Sequence, residues 1–401
     1  MAMADRETVR GRLEQFDLRS DDFAPLFVDT LLAAAVRAGV SDVHLQPSVD
    51  GLDIRWRRNG LLEPLGTFSA EIAPRITGRL KVLAGLLTYE RQLPQEGRLR
   101  EPVEGVAMRI SVFPTIAGER VVVRLFSSPT QLCHLHDLGF PESHVRAWER
   151  ALAQRNGLVL ISGPAGSGKT TTAYALMREL ARMHAGRVSL MSIEDPVEAR
   201  LDGVAQSQVH EPVGFTLEAG LHSLLRQDPE IMMVGEIRDP ETARLVFRAA
   251  LTGHLVITTF HAGSGAEAVR RLLDMEIEPY LIKSGLRVLF HQQLLRSLCE
   301  SCSQPASGDE DELGMGVAPT RKAVGCDDCG GSGYGERMPI TEWFPVESLR
   351  SADVDLARWD VGRLERLALE AGMVGRWQAA LEAIARGVTT PAEVRRVMGW
   401  D

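Results

Sequence analysis

The run Gly163-Pro164-Ala165-Gly166-Ser167-Gly168-Lys169-Thr170 carries the most specific chemistry in this chain. Glycines at these spacings let backbone N–H groups curl round a phosphate without a Cβ in the way. The lysine then reaches the β- and γ-oxygens, and the threonine hydroxyl is placed for Mg²⁺. The flanks suit the task. An apolar run, GLVLIS, leads into the loop, and TTTAYALM follows it at helical spacing. The positive end of that helix adds field at the phosphate. Residues 163–170 with Thr171 are the candidate nucleotide-binding residues, and Thr170 the candidate Mg²⁺ ligand.

Two apolar runs downstream end in acids. Ile231-Met-Met-Val-Gly-Glu236 would set a carboxylate beside the phosphate loop, where it could deprotonate or orient a water. Ile193-Glu194-Asp195-Pro196 ends the same way, although a turn acid gives the same pattern. His254 and His261 bracket a further apolar run, HLVITTFH. Taken alone, each suits a structural histidine as well as a catalytic one.

Four of the five cysteines form two pairs, Cys299-Glu-Ser-Cys302 and Cys326-Asp-Asp-Cys329. Two such pairs build a closed tetrahedral Zn²⁺ site. A closed site makes the metal structural.

The elements that must position these groups follow from patterning. The runs GLVLIS, VSLMSIED, IMMVGE and HLVITTFH hardly alternate, so they suit parallel strands buried on both faces with helices between them. Ala173, Leu176, Met177, Leu180 and Ala181 share one helix face. Asp239-Pro240 opens another helix, and Thr390-Pro-Ala-Glu393 has the form of a capping box. This predicts a doubly wound, RecA-like sheet. Ahead of it, Phe23–Ala38 and Ile72–Leu87 have helical spacing, while SDVHL and LDIRWRR alternate as strands. VAMRISVF and RVVVRLF predict a hairpin closed by the turn PTIAGE. Expected boundaries are a polar lead 1–20, an N-terminal α/β domain 21–130, a linker 131–152 and an ATPase domain 153–401. The last includes the cysteine module 299–333 and C-terminal helices 354–400.

The chain has 401 residues, 44% hydrophobic and 25% charged, with net charge −9. The acidic balance argues against a general nucleic-acid binder, which needs a positive face. No run approaches the roughly 20 apolar residues of a membrane span, and the start lacks an apolar signal core, so a cytoplasmic protein is expected.

The phosphate loop, MSIEDPVE, LLRQDPEIMMVGEIRDPETA and ALTGHLVITTFH together resemble the ATPases of type II secretion and type IV pilus assembly. SDVHLQP, RLKVLAGL, RQLPQEGR, FPTIAGERVVVRL and the two cysteine pairs extend the resemblance from about residue 23 to about 400. It implies a Mg²⁺-dependent ATP hydrolase working as a homo-hexamer, with a smaller, PAS-like N-terminal α/β domain. It implies a cytoplasmic location, tied peripherally to the inner membrane through a platform protein. By the same resemblance Glu194 and Glu236 are catalytic acids, and His254 and His261 sense phosphate and the neighbouring subunit. Arg109 and Arg124 would reach the nucleotide from the N-terminal domain; by pattern alone they are exposed strand arginines. Arg98 and Arg120 are lesser candidates.

The pattern departs from the family at His222, at Ala262-Gly-Ser-Gly265 and at His291-Gln-Gln293, positions tied to subunit contacts. Few residues precede the first match, so an N-terminal docking domain of the relatives is expected to be missing or trimmed. A nucleic-acid translocase and a non-catalytic regulatory paralogue are the alternative functions.

Overall fold

The computed structural model describes residues 6–99, 101, 103–126, 134–306, 315–317, 320–351 and 358–399. Parts of the expected segments lie outside the described residues: 1–5 of the lead, 127–133 around the linker, 307–314 and 318–319 of the cysteine module, and 354–357 and 400 of the C-terminal helices. The chain divides into two compact units, one of Met1–Ser127 with Gly325–Gly333, the other of Ser128–Val324 with Tyr334–Asp401.

The first unit runs α1 (Arg6–Glu14), α2 (Phe23–Arg37), β1 (Asp42–Pro47), β2 (Leu52–Arg58), β3 (Leu61–Phe68), α3 (Ala73–Ala84), β4 (Gln95–Arg98), β5 (Ala107–Thr115) and β6 (Gly118–Phe126). The stretch expected to be an uninformative lead thus holds a helix, whose Val9 and Leu13 are buried. The sheet order is β3-β2-β1-β6-β5-β4, antiparallel throughout. Alternation sends Leu52, Ile54 and Trp56 of β2, and Val121, Val123 and Leu125 of β6, into a core shared with Phe27, Leu31, Ile76 and Leu80 of α2 and α3. Lys81, fully buried on α3, donates to the Glu90 carbonyl at 2.6 Å and faces the Glu119 carboxylate. The hairpin turn is tighter than PTIAGE suggested. Pairing continues through Pro114↔Glu119 to Thr115↔Gly118, leaving two loop residues.

The second unit runs α4 (Glu142–Leu152), β7 (Gly157–Ser162), α5 (Lys169–His184), β8 (Leu190–Glu194), β9 (Ala205–Gln208), α6 (Leu217–Leu224), β10 (Ile231–Ile237) and α7 (Pro240–Leu251). It continues with β11 (Leu255–Phe260), α8 (Gly265–Asp274), α9 (Pro279–Gly285), β12 (Leu286–Leu298), β13 (Gln304–Pro305), β14 (Arg321–Lys322), β15 (Tyr334–Phe344) and α10 (Val346–Ser351), and closes on α11 (Val361–Glu370), α12 (Arg376–Ala385) and α13 (Pro391–Met398). The sheet order is β15-β12-β7-β11-β10-β8-β9. All neighbours are parallel except the β12–β15 pair.

Helices cover both faces. Leu158 and Leu160 of β7 pack with Val246, Phe247 and Val269 from α7 and α8. Val159 and Ile161 pack with Ala173, Leu176, Met177 and Leu180 of α5 and with Trp148 of α4. Every residue of β7 and of β11 is buried, hence their unbroken apolar runs. Asp239 caps α7 by accepting from Thr242 N–H at 2.7 Å. At α13 the capping box is only half formed. Thr390 Oγ1 accepts from Glu393 N–H, but the Glu393 carboxylate turns inward to Arg296 and Arg396.

That buried network gives a stability prediction. Burial alone would raise the Glu393 carboxyl, but hydrogen bonds from Arg396 and Arg296 override it and hold the group below its ordinary value. A lowered folded value means stabilisation above the unfolded carboxyl's pKa, lost as pH falls through the folded one. Glu393→Gln keeps the shape and leaves Arg296, 8% exposed, without its counter-charge. Denaturant unfolding at pH 7 should show a loss of about 3 kcal/mol, and the variant should lose part of the acid sensitivity below about pH 5.

Candidate active site

The site begins where β7 ends. Gly163 has φ +154, and a Cβ there would come within 2.5 Å of Ser167 Oγ as well as clashing with the Gln292 carbonyl, so only glycine allows β12 to run so close. The loop turns into α5 at Gly168, which supplies no side-chain cap, so the first-turn amides of a 16-residue helix face the loop. Lys169 Nζ donates to the Gly163 and Pro164 carbonyls at 2.9 and 2.8 Å and so lies across the loop. Burial lowers the pKa of this ammonium, and the charge of Glu236 partly offsets the effect. Ser167 is 2% exposed.

β12 braces the loop from the side. Buried Gln292 donates from Nε2 to the Ser167 carbonyl at 2.7 Å and accepts from Thr172 Oγ1 at 2.8 Å. One amide thereby ties the loop and the first turn of α5 to the same strand. The adjacent His291 is fully buried, with Nδ1 3.2 Å from Ser162 Oγ. Burial, then the charges of Arg376 and Lys169, pull its pKa down to about 3, so it stays neutral at physiological pH.

The two candidate acids differ in surroundings. Glu236 follows a β-bulge: the β10–β11 register shifts between Val234 and Glu236, and Thr259 Oγ1 holds the Gly235 carbonyl at 2.8 Å. A bulge re-aims the next side chain. Glu236 is 38% exposed and pairs with Arg238, which also reaches Asp195 at 3.1 Å. Glu194 is 3% exposed. It accepts from Tyr174 OH at 2.5 Å, Ser192 Oγ at 2.5 Å and Gln206 Nε2 at 3.1 Å. Burial, then the hydrogen bond to Glu194, raises the pKa of Tyr174, which stays protonated as a donor. Glu236 is open to water; Glu194 is occupied in holding strand ends together.

The histidines separate. His261 follows the end of β11, beside the loop, since Gly163 N–H donates to the Phe260 carbonyl at 3.1 Å. Arg271 holds the His261 carbonyl. His254 precedes the same strand, with Nδ1 3.0 Å from the Ala249 carbonyl at the end of α7. About 20 Å of strand lies between the two. The segment 262–265 is clamped: Gly263 N–H donates to Glu267 at 2.8 Å, Arg376 donates to the Gly263 carbonyl, and Gly265 N–H donates to Glu342 at 3.1 Å. Gln293 is buried and His222 exposed on α6.

In the first unit Arg109 and Arg124 are directly paired across β5 and β6. Each has an acid beside it, Glu96 for Arg109 and Asp42, at 2.9 Å, for Arg124. Arg120 lies on β6, and Arg98 is paired with Arg109 and stacks its guanidinium 5.7 Å from the Phe126 ring centre.

Cys299, Cys302, Cys326 and Cys329 bring their Sγ atoms within 4.8 Å of one another. Cys326 and Cys329 Sγ are 3.8 Å apart, about the edge of a tetrahedron with 2.3 Å metal–sulfur bonds. N–H groups of Cys326 and Gly333 donate to Cys329 Sγ, each at 3.2 Å.

Sequence reasoning missed Gln292, Tyr174 and Arg238. Gln292 bonds to groups 120 and 125 positions away and Tyr174 to one 20 away, so spacing does not mark them. Arg238 sits two positions from Glu236 inside a motif already singled out, but its second partner, Asp195, is 43 positions away.

The chain matches the family described as Type II/IV secretion system protein over residues 17–396. It is 36% identical over 392 residues to the type II secretion system ATPase E of Vibrio cholerae, covering 95% of this chain and 76% of that one. It is 35% identical over 407 residues to the type IV pilus assembly ATPase PilB of Myxococcus xanthus, covering 97% and 71%. Solved structures share the fold. The ATPase DotB of Legionella pneumophila superposes with TM-score 0.65 at 21% identity, covering 94% of this chain and 96% of that one. The pilus retraction motor PilT with bound ADP gives 0.59 at 20% identity, covering 92% and 96%. No helix among the described residues is long and apolar enough to cross a membrane.

The Gln292 brace is testable. Gln292→Leu fills the same space without the amide, so calorimetry should show ATP and ADP binding weakened alike, by about tenfold. Unchanged affinity would mean that the loop holds its shape alone.

Proposed function

The chain belongs to the type II/IV secretion system protein family, and we propose that it hydrolyses ATP at the Lys169 loop to drive fibre assembly in a type II secretion or type IV pilus machine. The observation that carries this reading is the braced phosphate loop with a water-accessible acid, Glu236, whose charge is felt at Lys169.

The phosphates of ATP lie against the amides of residues 163–171, with Lys169 swung from the loop carbonyls to the β- and γ-oxygens. Thr170, an oxygen donor in the first turn of α5, would hold Mg²⁺, which neutralises charge on the phosphates. Glu236 takes a proton from the attacking water as its oxygen bonds to the γ-phosphorus. The bridging P–O bond breaks with its electrons passing to ADP, and phosphate leaves. Glu194 is a positioning residue: through Tyr174 and Gln206 it fixes the loop that follows β8. His261 is placed to sense phosphate loss at the end of β11. His254, at the far end of that strand, is assigned to the subunit contact. Arg109 and Arg124 are assigned to the nucleotide by resemblance, as added positive charge.

The four cysteines hold a structural Zn²⁺; the tetrahedral spacing of Cys326 and Cys329 and the N–H donors on Cys329 support it. The motor is a homo-hexamer in the cytoplasm. It is held at the inner membrane by a platform protein and has no direct nucleic-acid partner.

Glu236→Gln should keep ATP binding and lose about 100-fold or more in turnover, because it removes the base and spares the phosphate cradle. Normal turnover in a phosphate-release assay would move the base elsewhere. Metal analysis of protein purified without chelators should find one zinc per chain, lost in Cys326→Ser, with ATP binding retained. Zinc-free protein would remove that assignment.

A further inference from the structure

Beside the start of β12, at the end of the sheet remote from the phosphate loop, lies a cleft of about 870 Å³. It is within the size range of small-molecule sites. Its position follows from register: Leu286 and Val288 at the start of β12 pair with Leu158 and Val159, with Arg287 at the irregularity between them, whereas the loop follows Ser162 at the other end of β7. Arg150, Lys283, Arg287 and Arg350 line it, together with Trp343. Glu347 is the one acid in the lining among the described residues. Three more cations than anions meet here, in a chain of net charge −9.

Two of the arginines are held by backbone carbonyls. Arg350 donates from Nε to the Lys283 carbonyl at 2.9 Å and from Nη2 to the Leu286 carbonyl at 2.7 Å. Arg287 donates to the Ser284 carbonyl. A guanidinium carries five N–H donors, more than these bonds use. Burial, then the like charge of Arg350, lowers the Arg287 pKa, the electrostatics of a cation cluster that an anion would relieve. Arg150 stands exposed in the last turn of α4 across the cleft. Trp343 is half-exposed and is backed by Trp148 and Phe290, so its ring is fixed.

We propose that this cleft is a second nucleotide-type site, binding a phosphorylated ligand with a planar ring. Its phosphate groups sit on Arg150, Arg287 and Arg350 and its ring lies against Trp343. Arginine forks suit phosphate oxygens in pairs, and a fixed indole suits a planar ring.

The test is calorimetry of the full chain with ADP and, separately, with inorganic pyrophosphate. ADP should show two binding events. Lys169→Ala should weaken one of them. Arg150→Glu and Arg287→Met should each weaken the other at least tenfold and leave the first unchanged; the methionine keeps the aliphatic stem of Arg287 in place. Pyrophosphate, which has no ring, should bind the second site at least tenfold more weakly than ADP. A single event abolished by Lys169→Ala overturns the proposal. So does a second event that ignores both arginine variants. Pyrophosphate binding as tightly as ADP overturns the role of Trp343.

Discussion

The structure depends on how close β12 comes to the phosphate loop. Ser167 N–H donates within the loop to the Pro164 carbonyl at 3.3 Å; a loop that offers its other amides to an anion needs an outside support that grips its carbonyls. Gln292 grips the Ser167 carbonyl and Lys169 the carbonyls of Gly163 and Pro164. Both leave the N–H side untouched. The contact also explains why position 163 admits no side chain. The glycine serves the packing of β12 as much as the approach of a phosphate.

The ends of the parallel strands sort the chemistry by solvent access. β8 finishes in Glu194 and β10 carries Glu236 one residue before its end, and both apolar runs point to an acid in the sequence. In the fold, Glu194 receives three hydrogen bonds in a buried pocket, while the bulge at Gly235 lifts Glu236 to the surface. A buried carboxylate with its lone pairs engaged is suited to hold a loop; one open to water can exchange protons. Arg238 bridges Glu236 to Asp195, so the loops after β8 and β10 share one cation.

Much of this was legible in the sequence where local chemistry determines structure. Unbroken apolar runs gave the central strands, because burial on two faces erases alternation, as in β7 and β11. The phosphate loop and the cysteine pairs were legible because spacing alone sets their geometry, and the cysteines do converge. What escaped is non-local. β12 and β15 were not anticipated, and β12 carries Gln292, whose partners lie 120 and 125 positions away. The half-formed cap at Thr390 shows the same limit. Sequence offers Glu393 to its own helix, but buried Arg296 is the stronger partner. The separation of His254 and His261, by contrast, was legible, since they bracket the apolar run that becomes β11.

β7 is short, and both its ends are set by the same neighbour. At its start a Cβ on Gly157 would meet Arg287, 3.1 Å from Nε and closer still to the aliphatic stem. At its end Gly163 faces the Gln292 carbonyl. Five strand residues after Arg287, β12 passes from the arginine-lined cleft to the brace of the phosphate loop. β7 is buried at every residue, and close packing leaves little free volume to absorb a shift along it. The β7–β12 pair thus runs from the cleft at one end of the sheet to the phosphate loop at the other. Its tight glycine contacts leave little slack along that run.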